Sequence, residues 1–170
     1  MHTPQMNTTE PAWEIRLGEL WNRLDEIPGD DFVGAVRQLT AELPEGHPVA
    51  LFEMGAAHDS TGSPQDALNL YNAAMRGGLS GIRRRRVQIQ TASSLRNLGQ
   101  PQRAAEILFE ELKQPSDVLD QAVAAFLALA LADLGREREA LSLSLGALSK
   151  YLPRYNRSLA RYAEALHSAA

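Results

Sequence analysis

The sequence predicts an all-α fold, a right-handed α-solenoid of antiparallel helix pairs closed by a carboxy-terminal capping helix. Three observations carry this expectation. A turn glycine stands five residues before an alanine in three places: Gly62 and Ala67, Gly99 and Ala104, Gly135 and Ala140. The copies recur with periods of 37 and then 36 residues, within the range where internal repeats stack into solenoids. Each copy separates two runs whose apolar residues return every three or four positions, the spacing of amphipathic helices.

Composition agrees. Hydrophobic residues make up 44% of the 170 residues but aromatics only 6%, so Ala and Leu, both strong helix formers, must carry the core. A net charge of -4 and a pI near 5.6 lack the basic footprint of a nucleic-acid or anionic-membrane binder. Without cysteine there is no disulfide framework, thiolate metal site or cysteine nucleophile. No basic segment followed by an apolar one opens the chain, and the apolar run Ala122 to Ala132 is too short to span a bilayer. The expectation is a cytoplasmic protein with no membrane and no nucleic acid among its partners.

In chain order, residues 1–11 are polar and aperiodic and read as a flexible tail. Residues 12–170 read as a single helical-repeat domain. Its degenerate first pair spans 12–43. Trp13, Leu17, Leu20, Trp21 and Leu24 lie at helical spacing, Pro28-Gly29 stops that helix, and Asp30 or Asp31 is expected to cap the next. The repeats follow at 48–79, 84–114 and 117–151. Pro48 suits a first helical turn, as does Pro64 behind an N-cap at Ser63. The last segment, 153–168, is expected to be helical from Arg154 and to cover the final seam, since a solenoid needs a polar-backed terminal helix.

These repeats resemble the tetratricopeptide repeat family. Small residues stand where paired helices cross: Gly55, Ala92 and Ala128 in the first helices, Ala67, Ala104 and Ala140 in the second. Tyr71 fits the family's aromatic position in the second helix. The chain departs from the pattern at Leu108 and Ser144, which replace that aromatic, and in having no Trp early in a repeat's first helix. Ser94 to Gly99 and Leu152 to Tyr155 are also similar to a bacterial subgroup of the family with no assigned biochemistry. The resemblance implies a TPR-like superhelix that binds a protein or extended peptide in a concave groove lined by the first helix of each pair.

The helical wheel selects the groove residues. In the central first helix Gln88, Thr91, Ala92, Leu95 and Leu98 form the expected buried face, and Arg86, Gln90, Ser93 and Asn97 the opposite one. Shifting by the repeat period adds Val49, Glu53, Ala56 and Ser60 before it, and Ala122, Phe126, Leu129 and Asp133 after it. Arg86, Gln90, Ser93 and Asn97 are the expected polar contacts. Phe126 and Leu129 would receive an apolar side chain. Apolar residues there require cover from the terminal helix, a second subunit or a ligand. The family's clamp of Lys, Asn and Arg on chaperone carboxyl termini is not reproduced, because Phe52, Ala56, Ala122 and Leu129 stand in its place.

Other constellations offer less chemistry. Arg83 to Arg86 points in four directions on a helix, and ion pairs to Glu45, Glu53 or Asp59 are its expected use. His2, His47, His58 and His167 show no paired ligand spacing, so no metal is expected. Nothing pairs two carboxylates across a pocket for acid-base work, and no glycine loop carries the Lys and Ser/Thr of a phosphate site. Trp13 and Trp21 read as core. The expectation is a non-catalytic scaffold with no cofactor; a homo-oligomeric structural module and a ligand or peptide sensor are the alternatives.

Overall fold

A computed structural model describes residues 7–168, so the first six residues of the expected tail, His2 among them, lie outside the described residues. Among the described residues there are nine α-helices, one short 3-10 turn and no strand. The helices are α1 (Pro11–Trp21), α2 (Gly29–Thr40), α3 (Pro48–Ser60), α4 (Pro64–Arg76), α5 (Gly81–Asn97), α6 (Pro101–Glu111), α7 (Asp120–Asp133), α8 (Glu137–Ser149) and α9 (Asn156–Ser168). The chain forms two compact units, residues 1–90 and 91–170.

The repeated glycines earn their place through backbone geometry. Gly62, Gly99 and Gly135 have φ of +89°, +75° and +72°, the left-handed region that costs other L-residues about 1–2 kcal/mol. Each forms the same helix stop. Ser63 N–H donates to the His58 carbonyl, Gln100 N–H to Leu95 and Arg136 N–H to Leu131, at 2.8–2.9 Å. A second bond, at 2.9–3.2 Å, runs from each glycine N–H to the carbonyl three residues back. This pair of bonds satisfies carbonyls that the helix end leaves without partners.

In the first unit α3 and α4 pack tightly because Gly55 lets the Tyr71 ring lie on the helix. A methyl group at Gly55 would stand 2.7 Å from Tyr71 Cδ1 and Cε1. Tyr71 is buried with Trp13, Leu17, Val49, Phe52, Ala67 and Ala74. Burial and the neighbouring Asp59 carboxylate, 3.3 Å from its hydroxyl, raise the Tyr71 pKa. A second cluster joins Phe32, Val33, Val36 and Ala57. Trp13 donates its indole N–H to the Leu39 carbonyl at 2.9 Å, tying α1 to α2. Within the expected tail, the Asn7 amide donates to the Gly78 carbonyl at 2.9 Å and accepts from Ser80 N–H at 3.0 Å.

In the second unit α7 is the central helix, packed between α6 and α8, with α9 laid on α8. Val123, Leu127, Ala130 and Leu131 are fully buried. Ser142 donates to the Ala163 carbonyl at 2.7 Å, and Arg138 Nε to the Leu166 carbonyl at 3.0 Å, seating α9.

Several local expectations are corrected. Pro28, not Asp30 or Asp31, is the N-cap of α2, and both acids lie in its first turn, where they face the positive end of the helix dipole. Ser63 occupies the N-cap of α4 without a side-chain hydrogen bond. His47 does cap α3 with its side chain: Nδ1 accepts from Val49 N–H at 3.3 Å. Helix α9 begins at Asn156 rather than Arg154, because Tyr155 just ahead takes φ +64°. Leu98, expected on the buried face, is exposed at the end of its helix, where the chain turns through Gly99.

Candidate binding cleft of the first unit

The first unit holds a cleft of about 420 Å³ walled by the first helices of the pairs, α1, α3 and the amino-terminal part of α5. Its apolar surface comes from Leu17, Trp21, Phe52 and Ala56, and its polar surface includes Glu14, Glu53, Arg83, Arg86 and Gln90. A volume of this order falls within the usual range for ligand pockets, roughly 300–1,000 Å³.

One wall is an ion cluster. Arg83 donates Nε to Glu53 Oε1 at 2.9 Å and Nη2 to Glu14 Oε2 at 2.7 Å, linking α5 to α3 and to α1. Trp21 donates its indole N–H to the other Glu53 oxygen at 3.0 Å, and Thr9 donates to the other Glu14 oxygen. All four carboxylate oxygens are therefore engaged. Glu53 is only 4% exposed, and burial pushes its pKa above the ordinary carboxylate value despite Arg83 and Trp21. At Glu14 burial pulls upward too, but hydrogen bonds from Arg83 and Thr9 outweigh it and the pKa falls. Burial alone would lower the Arg83 pKa, yet its two carboxylate partners raise it.

A raised carboxyl pKa in a cleft can mark an acid catalyst. Here each Glu53 oxygen accepts from a fixed donor, Arg83 or Trp21, and the carboxyl joins α1, α3 and α5. The cluster holds three helices in place. Chemistry is left to the cleft's other polar groups. Arg86 is exposed at the rim. The Gln90 side-chain oxygen is buried and has no hydrogen-bond partner among the described residues. A buried acceptor left unpaired costs about 1–3 kcal/mol, which a donor on an incoming molecule would recover.

The expected site residues fall in both units. Arg86 and Gln90 line the cleft. In the second unit Ser93 is half-buried and Asn97 exposed on α5, while on α7 Phe126 is half-buried and Leu129 is 46% exposed. Because α9 packs on α8, Leu129 stays open to solvent. Of the flanking groove positions, Glu53 and Ala56 line the cleft as expected. Val49 does not: it is 1% exposed and belongs to the core. Asp133 pairs with Arg96 at 2.5 Å.

Sequence reasoning offered Glu53, beside Glu45 and Asp59, as a partner for the Arg83 to Arg86 run, but missed Glu14 and the cleft role of Trp21. Glu14 lies 69 residues from Arg83, and no periodicity joins them. Trp21 did leave a signal. Trp21, Glu53, Gln90 and Phe126 follow one another at 32, 37 and 36 residues, and so occupy one register position in successive pairs. Carrying the shift back into the degenerate first pair would have exposed it.

Three helix pairs with the same glycine stop, and a cleft walled by the first helices α1, α3 and α5, define an α-helical repeat protein. Residues 48–166 match the Tetratrico peptide repeat family, and the chain belongs to that family. No match was found among curated proteins or among solved structures. Repeats of this family generally mediate protein–protein interactions on a scaffold that is generally non-catalytic. Among the described residues, no helix is long and apolar enough to cross a membrane.

Proposed function

We propose that the protein is a non-catalytic binding module that takes an extended peptide segment of a partner protein into the cleft of its first unit. The observation that carries this reading is the cleft walled by three first helices, whose ion cluster is satisfied while the wall residue Gln90 keeps a buried, unbonded side-chain oxygen. A turn of the Gln90 side chain brings that oxygen to a peptide N–H. Trp21 and Phe52 offer an apolar surface for a side chain, and Arg86 pairs with an acceptor at the rim. Ser93 and Asn97 on α5, and Phe126 and Leu129 on α7, are proposed as further partner contacts on the second unit. Leu129, exposed and apolar, is the position there that gains most from cover.

The test is a peptide selected from a random display library against the full chain, titrated calorimetrically into wild type and into Arg86→Glu/Gln90→Ala. Affinity at least about tenfold weaker in the variant, roughly 1.4 kcal/mol, with an unchanged unfolding midpoint, supports the cleft. Equal affinity for both proteins moves the site elsewhere.

A further inference from the structure

The carboxy-terminal end of the chain departs from the acidic character of the rest. In a chain of net charge -4, Lys150 to Tyr162 carries Lys150, Arg154, Arg157 and Arg161 and not one carboxylate. All four cations are exposed, and none enters an ion pair among the described residues. Some exposed basic residues elsewhere are paired, Arg16 with Glu42, Arg23 with Glu26 and Arg136 with Glu139; this stretch is set apart by four cations within twelve residues and no carboxylate among them. Three tyrosines are interleaved with the unpaired cations, Tyr151, Tyr155 and Tyr162, at 70%, 79% and 60% exposure. Exposed Tyr and Arg together are the composition of interface anchors. Tyr155 also holds φ +64°, a conformation a bulky L-residue adopts at a cost, and such strain gathers where a surface is put to use.

The complement of this surface is on the same sequence. Residues 10–31 carry seven carboxylates against two arginines. Both arginines are already paired, and so are Glu14 and Glu26. Glu10, Glu19, Asp25, Asp30 and Asp31 remain exposed. Exposed Ile15 lies one helical turn from Glu19 on α1, so an apolar contact for a tyrosine ring sits beside the acidic one. We propose that the basic tyrosine surface around the start of α9 docks on the acidic surface of the first helix pair of a second copy of this chain. The contact is heterologous: two different patches meet, so each copy retains one unused patch of each kind and association continues beyond a single contact. A nucleic acid would suit the cations but would meet the repulsion of an otherwise acidic chain. The inference is independent of the peptide cleft.

Sedimentation velocity on the full chain tests it. Wild type is expected to self-associate at low salt and to dissociate near 1 M salt, where the Debye length is about 3 Å. Arg154→Glu/Arg157→Glu/Arg161→Glu and, separately, Glu19→Lys/Asp25→Lys/Asp30→Lys each weaken association at least about tenfold. An equimolar mixture of the two reversed proteins restores it, because each now presents the complement of the other. Tyr155→Gly removes the ring while relieving the backbone, so it weakens association without lowering the unfolding midpoint. The proposal is overturned if wild type stays monomeric at every concentration, if either reversed protein associates like wild type, or if the mixture remains monomeric. A monomeric wild type that binds a fluorescent single-stranded oligonucleotide through these arginines overturns it in favour of nucleic acid.

Discussion

Replacing Arg83 with Met keeps most of the buried stem and removes the charge that joins three helices of the first unit. The magnitude follows from the two carboxylates left behind. Arg83 and Glu53 have side-chain exposures of 18% and 5%, so Glu53 becomes a buried anion without a cation. Its less costly response is to take up a proton. At about 1.36 kcal/mol per pH unit, protonating a carboxyl of ordinary pKa 4.5 costs about 3.4 kcal/mol at pH 7. That is the ceiling for Glu53. Glu14 adds little, since its side chain is 36% exposed and solvent screens it. The Trp21 hydrogen bond survives, which places the expected loss at about 2–3 kcal/mol at pH 7. At pH 5 the ceiling falls to about 0.7 kcal/mol by the same relation. Urea unfolding followed by far-ultraviolet circular dichroism, variant minus wild type at the two pH values, reads both numbers. In a Glu53→Gln background, where no buried anion remains, the same exchange should cost less than about 1 kcal/mol. An Arg83→Met protein within about 0.5 kcal/mol of wild type at pH 7, or with the same deficit at pH 5, would refute a buried Glu53 anion as the source of the loss.

Other outcomes follow from single positions. Gly55→Ala gains about 1 kcal/mol of helix propensity but drives a methyl to 2.7 Å from the Tyr71 ring; with overpacking at about 1–3 kcal/mol, a net loss of up to about 2 kcal/mol is expected. Gly146→Ala, with nothing within 4 Å, should instead stabilise by up to about 1 kcal/mol, and thermal melts of the two variants should shift in opposite directions. Gly99→Ala meets no neighbour, so its cost is that of a left-handed backbone alone, about 1–2 kcal/mol, checked by the same melts. His47 has a pKa lowered from its ordinary 6.5, by burial first and by the Arg83 charge second. The unfolded chain therefore binds the proton more readily, and this residue's contribution is lost as pH falls below 6.5 through the folded value. His47→Asn keeps a capping acceptor without titrating, so it should flatten that part of the stability profile between pH 7 and pH 5; an unchanged profile would contradict the assignment.

The cleft and the ion cluster divide the work of the first unit. Glu14, Glu53 and Arg83 saturate one another and fix where α1, α3 and α5 stand. In the proposed function, Arg86 and Gln90 are the groups that meet the peptide. A scaffold that stiffens its walls with one set of charges and presents another loses little conformational freedom on binding, which favours affinity.

The sequence by itself determined the local code of this protein. The glycine stops at 62, 99 and 135, the proline starts at 48, 64 and 101, and the crossing residues Gly55 and Ala67 each act through backbone geometry or a neighbouring turn. Such signals are complete within a few residues, so they can be read without coordinates, and the family followed from them. The side of α5 that carries Arg86, Gln90, Ser93 and Asn97 was equally legible, because a helix has a known pitch. Only the tertiary structure decided which groups meet. It brought Glu14 to Arg83 across 69 residues and gave Trp21, packed against the core as expected, a second place in the cleft wall. It also buried Val49 in the core and left Leu129 uncovered by seating α9 on α8. Those outcomes depend on how helices distant in sequence pack, and packing is set by the summed fit of many side chains that no periodicity records.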